Sequence, residues 1–128
     1  MIRVLIPCDL EFKKYSDKCR KLYENLQEQI CDTSSYDFIV NNTFFYLFLN
    51  DDKLLGAIYY FTDDSGRLLV NAFAGRKTHK LNIECMKMSL KWFKGSIYAE
   101  AQNRASALCL LKCGFEREKD NLFVYRRG

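Results

Sequence analysis

The sequence has one proline, Pro7, and one histidine, His79, in 128 residues. With so little proline, no rigid Pro-rich spacer divides the chain. One histidine and six scattered cysteines (8, 19, 31, 85, 109 and 113), with no Cys-x-x-Cys pair, exclude the usual spacings of a structural zinc site. Cys109 and Cys113 lie one helical turn apart, but a closed metal site would need further ligands from distant stretches, and the six read as buried, reduced thiols. No run approaches the roughly 18 apolar residues of a membrane-spanning helix. The apolar start Met1–Pro7 is interrupted by Asp9 and Glu11 before it reaches the length of a secretory signal. These absences predict a cytoplasmic protein with no membrane partner.

What is present is core-forming material. Hydrophobic residues make up 48% of the chain, with ten Phe and eight Tyr, enough to predict a single domain over 1–128 that needs no disulfide framework. The net charge of +4 is unevenly spread: from Arg67 to Gly95 there are seven basic residues and one acid, Glu84. Such a stretch suits a polyanionic ligand, whether nucleotide cofactor or nucleic acid, and equally suits a solvated helix face. Lys87 and Lys91, one turn apart, have the spacing to meet phosphates, but no DNA- or RNA-binding motif accompanies them. Nucleic acid is therefore the weaker expectation.

Periodicity supplies the order of elements. A strand over 1–7 precedes a helix capped at Asp9, with apolar positions Phe12, Tyr15, Cys19, Leu22, Leu26 and Ile30 stepping by three and four. Asp32–Ser35 breaks it, and Tyr36–Val40 forms a short helical turn. Thr43–Leu49 and Lys53–Phe61 read as a hairpin about Asn50–Asp52. The non-alternating run Phe44–Leu49 predicts a strand covered on both faces. A strand to Ala74, a helix from Thr78 to Phe93 stopped by Gly95, a strand at Ile97–Gln102, a helix at Arg104–Cys113 and two short strands complete the chain. This is an α+β pattern: one mixed, mostly antiparallel sheet of six or seven strands flanked by three or four helices.

The stretch from Ser96 to Glu116 is the most specific. A strand, Asn103, a small-residue helix and then Lys112-Cys113-Gly114-Phe115 follow one another, with Gly114 at the usual left-handed helix stop. This order resembles the closing segment of the GNAT superfamily of acyl-CoA-dependent N-acyltransferases, and the element order of the whole chain is similar to the GNAT fold. The resemblance implies acetyl-CoA beside the strand residues Asn71, Ala72 and Phe73, its pyrophosphate at Arg76, Lys77, Thr78, His79 and Lys80, and Asn103 near the pantetheine. Unsatisfied N–H groups and the positive end of a helix dipole favour phosphate at such a loop. The family's two small loop residues are replaced by His79 and Leu81, and its general-acid tyrosine by Leu110. Glu100 and Tyr98 are what remains on the neighbouring strand as candidate base and acid.

Two readings follow from the resemblance. One is an acetyl-CoA-dependent N-acetyltransferase acting on a primary amine. The other is a non-catalytic GNAT-like protein, similar to those of phage head or virion assembly, that uses the fold to contact protein or nucleic acid.

Overall fold

The computed structural model describes residues 1–30 and 32–126; Cys31 lies outside them. Seven strands form one sheet in the order β1-β2-β3-β4-β5-β7-β6. They are β1 (Ile2–Leu5), β2 (Phe44–Asn50), β3 (Lys53–Thr62), β4 (Leu68–Ala74), β5 (Ile97–Glu100), β6 (Glu116–Lys119) and β7 (Leu122–Tyr125). Four helices, α1 (Phe12–Leu26), α2 (Tyr36–Asn42), α3 (His79–Leu90) and α4 (Arg104–Lys112), flank it. All neighbouring strands pair antiparallel except β4 and β5, which are parallel and joined through α3. The α+β architecture is the one the periodicity predicts.

The sheet separates two apolar layers. On one face α1 and α2 bury Phe12, Tyr15, Cys19, Tyr23, Tyr36 and Ile39 against Phe45, Leu47, Tyr59 and Phe73. On the other, α3 and α4 bury Cys85, Leu90, Ala107 and Leu110 against Phe48, Ile58, Tyr60, Val70 and Ile97. β2 feeds both layers, which explains its lack of alternation. Successive residues of a strand point to opposite faces. Val70 and Ala72 thus join the α3/α4 layer, while Phe73 joins the α1/α2 layer.

Local signals work at some ends and not at others. Ser35 caps α2, its side chain accepting from the Phe38 amide at 3.1 Å. Gly114 takes φ 99° just past α4, as a helix stop requires. Asp9 does not cap α1: its carboxylate accepts from the Ile6 amide at 2.8 Å, closing a turn ahead of the helix, which starts at Phe12 with no side-chain cap. α3 ends at Leu90, short of Gly95, because Trp92 and Phe93 leave the helix to pack on Tyr46 and Tyr60. No helix among the described residues is long and apolar enough to cross a membrane. Cys19, Cys85 and Cys113 are buried free thiols, Cys109 is half-buried, and Cys8 is exposed, against the expectation of burial.

Candidate active site

The feature around which a site can be built is the meeting of β4 and β5. These parallel strands pair only at Leu68↔Ile97 and Leu69↔Tyr98. β4 then runs on to Ala74, still paired with β3 up to Ala74↔Gly56, while β5 pairs along its length with β7. Past Leu69 and Tyr98 the strands part, and among the described residues no strand faces the β5 side of Val70–Ala74. Of the peptide groups left there, the Ala72 amide donates to Asn71 Oδ1 at 3.0 Å, and the others need water or a ligand as partner.

At the end of this crease β4 passes through Gly75 into a 3-10 turn, Arg76–Thr78, and then α3. Here no side chain caps the helix. The Thr78 hydroxyl lies 3.1 Å from the Gly75 carbonyl and 2.9 Å from Asn82 Oδ1, and Asn82 Nδ2 donates to the same carbonyl at 2.9 Å. These bonds tie down a carbonyl and occupy no amide of the helix start. A Cβ built on Gly75 meets nothing within 4 Å, so the space beside this residue is open. Arg76, Lys77, His79 and Lys80 stand exposed around it, and Arg76 donates to Gln29 Oε1 at 3.2 Å.

His79, the first residue of α3, reaches across to α4. Its Nε2 lies 3.4 Å from Lys112 Nζ and its Nδ1 3.8 Å from Cys109 Sγ. A lysine ammonium only donates, so Nε2 accepts and Nδ1 carries the proton facing the sulfur. At the start of α4, Asn103 Oδ1 accepts from the Ser106 amide at 2.9 Å and Ser106 Oγ accepts from the Asn103 amide at 3.0 Å. This capping box leaves the Asn103 side-chain NH2 as its free donor. Leu110 is buried in the α3/α4 layer.

The remaining sequence-predicted residues divide by face. Phe73 packs on Tyr23 with ring centroids 5.1 Å apart and turns its carbonyl towards Gly56 of β3, while Ala72 packs on the α3 side and its amide donates to Asn71 Oδ1 at 3.0 Å. Tyr98 and Glu100 alternate with buried Ile97 and Ala99, which sets them on the α1/α2 face with Asn71. Tyr98 is half-buried beneath the Arg67 guanidinium, 5.0 Å from its ring centre, and Glu100 is exposed. The structure thus gathers Asn71, Tyr98 and Glu100 on one side of the crease. Arg76, Lys77, Thr78, His79 and Lys80 lie at its end, and Asn103 at the start of the opposite helix.

Two residues outside the sequence-predicted site join this group. Tyr59 stands opposite Asn71 in the β3–β4 register. Its hydroxyl donates to Asp32 Oδ2 at 2.7 Å and accepts from Asn71 Nδ2 at 3.0 Å. Burial and the adjoining Asp32 carboxylate hold the Tyr59 pKa well above the ordinary phenol value, so it remains a donor. Asp32 Oδ1 accepts from the Ser34 amide at 2.7 Å, and Tyr23, pushed up to about 12 by burial and by Asp32, donates to the Ser34 carbonyl at 2.6 Å. The hairpin turn Asp63–Gly66 carried a signal for Tyr59, since counting back from it sets Tyr59 opposite Asn71. No local signal marks Asp32.

Sheet order, parted strands and helix placement define the class: the chain has the fold of GNAT-type N-acetyltransferases. It matches an N-acetyltransferase from Staphylococcus aureus Mu50 with a TM-score of 0.73 and 12% identity, over 98% of this chain and 97% of that one. An aminoglycoside acetyltransferase, AAC(6')-Ib, in complex with coenzyme A matches at 0.68 and 12%, over 99% and 95%. The ribosomal-protein-S5-alanine acetyltransferase of Vibrio fischeri matches at 0.67 and 13%, over 98% and 91%. No family model matches the sequence, and no curated protein does.

Proposed function

We propose that residues 1–128 form one GNAT-like domain that transfers an acetyl group from acetyl-CoA to a primary amine. The observation that carries this reading is the parting of β4 from β5 past Leu69 and Tyr98, which runs to an uncapped helix start ringed by Arg76, Lys77 and Lys80. Those peptide groups of Val70–Ala74 that meet neither β3 nor, at Ala72, the Asn71 side chain suit an amide-bearing arm such as pantetheine. Helix-start amides, the positive dipole end and three cations suit a pyrophosphate, and the space beside Gly75 is open. The donor set fits the cofactor through charge: His79 and Leu81 stand where the resembled motif has small residues, and Arg76, Lys77 and Lys80 beside them supply the cations. A structural neighbour holding coenzyme A supports this. When bound, acetyl-CoA supplies the acyl group as an activated thioester. In this reading Asn71 and Tyr98 orient the amine on the α1/α2 side, Glu100 takes its proton, Tyr98 serves as acid, and Asn103 holds the start of α4 beside the cofactor.

Calorimetric titration of the purified chain with acetyl-CoA tests the proposal. Micromolar binding that Arg76→Glu abolishes is expected; no heat at millimolar acetyl-CoA refutes it. A second reading, a non-catalytic scaffold of the phage-assembly kind, draws on two observations: Leu110 is a buried apolar residue at the family's acid position, and His79 bridges α3 and α4. That reading expects the titration to be silent.

A further inference from the structure

A cavity of about 290 Å³ opens on the α1/α2 side of the sheet, between α2 and the end of β3. Asp32, Ser34, Phe38, Asn42, Tyr59 and Phe61 are among its lining residues, and no basic side chain is. In a chain of net charge +4, this is a pocket with one uncompensated negative charge. Among the described residues no ion pair engages Asp32. Its two oxygens accept from the Ser34 amide and the Tyr59 hydroxyl, and each carboxylate oxygen has room for a second donor. Such an arrangement holds the carboxylate in place while leaving it able to receive an ammonium.

The walls point the same way. Phe38 is 54% exposed beside the cavity, and with half-buried Phe61 it presents aromatic surface in the same cavity as the carboxylate. Aromatic faces attract alkylammonium ions, whereas they offer nothing to an anion. One buried side chain separates the cavity from β4: Tyr59 bonds Asp32 on one side and Asn71 on the other, at 2.7 and 3.0 Å. A molecule held at Asp32 by one nitrogen can therefore set a second over Asn71 through a chain of a few methylenes.

We infer that this cavity holds the far ammonium of a diamine or polyamine acceptor, with Asp32 as its anchor and the near amine placed over Asn71 at the crease. The near-amine half rests on the transferase reading; the anchor is a binding claim that stands apart from it. The test is an amide-resolved NMR titration of the full chain with putrescine, without acetyl-CoA, on wild type, Asp32→Asn and Asp32→Glu. Asn keeps an acceptor for Tyr59 and removes the charge. Putrescine is expected to shift amides near Asp32, Ser34 and Tyr59, with affinity falling about tenfold or more in Asp32→Asn and largely kept in Asp32→Glu. Shifts elsewhere, none at millimolar putrescine, or equal affinity in Asp32→Asn overturn the anchor. In acetyl transfer, the preference for putrescine over n-butylamine is expected to collapse in Asp32→Asn; no such preference in wild type overturns the diamine claim. Putrescine binding at Asp32 without acetyl-CoA binding sinks the transferase reading alone, and acetyl-CoA binding with no cation at Asp32 sinks this inference alone.

Discussion

The two strand-to-helix corners beside the crease are built from similar residues and finished in opposite ways. Where β5 turns into α4, Asn103 and Ser106 exchange side-chain and backbone bonds, and the helix start is satisfied from within. Where β4 turns into α3, Thr78 and Asn82 spend their polar atoms on the Gly75 carbonyl, leaving the helix start without a cap. Orphan amides at a helix start need an acceptor, and only the second corner lacks one of its own. That corner also carries Arg76, Lys77 and Lys80, while Arg104 is the lone cation in the first turn of α4. The difference suits the β4–α3 corner to an anion, as the proposed function requires, and leaves the β5–α4 corner closed by its own residues.

The largest effect on this comparison should come from Gly56. It lies on β3 opposite Ala74 with φ 157°, and a Cβ there would fall on the carbonyl oxygen of Phe73 and on Ala74. The end of β4 can meet β3 only because this side chain is missing, and the Gly75 amide bond to the Leu55 carbonyl, 3.1 Å, depends on the same approach. Gly56→Ala is expected to cost on the order of 3 kcal/mol, read as a drop in the urea midpoint together with loss of acetyl-CoA binding. A midpoint close to wild type would show that the open corner is not positioned this way. Asn103→Ala comes next, at about 1 kcal/mol for a lost helix cap, again in urea. Thr78→Ala should cost less than Asn103→Ala, because its hydroxyl caps no amide; equal costs would erase the distinction between the corners.

How far these corners could be read in the chain itself follows the same division. Asn103 and Gly114 mark α4 because caps and stops are local, involving residues three or four apart. The order of strands was legible from apolar runs and turn residues, and the parallel β4–β5 pair follows from a helix joining them. Asp9 had a cap's identity but spends its carboxylate on Ile6, a choice that depends on how β1 leaves the sheet. Gly95 looked like a helix stop, yet the aromatic cluster of Tyr46, Tyr60, Trp92 and Phe93 ends α3 first. Tyr59 needed a register count, and Asp32 was out of reach, since its bond to Tyr59 joins residues 27 apart across two layers. His79 meeting Lys112 is a contact of the same kind, 33 residues apart.

The smallest expected effect is chemical rather than energetic, and it probes the open corner from the α4 side. Cys109 faces His79 there and is half-buried; burial pushes its thiol up while Lys112 draws it down. One turn on, Cys113 is sealed in the core, pushed up to about 11 by burial and by the neighbouring Cys109, and Cys85 is likewise pushed up to about 11. Thiolate is the alkylating form, so iodoacetamide at neutral pH should label Cys8 first, Cys109 slowly, and Cys85 and Cys113 only on unfolding. The sign of the pH dependence follows: thiols raised in the fold bind their protons more tightly there than in the unfolded chain. Their contribution to stability is whole below the ordinary value of 9.0 and declines as pH rises towards about 11. If the β4–α3 corner takes the anion, acetyl-CoA will slow labelling of Cys109, whose partner His79 begins the uncapped helix, and leave Cys8 unchanged. Mass-spectrometric rates for the two cysteines that respond alike to acetyl-CoA would mean that nothing docks at that helix start.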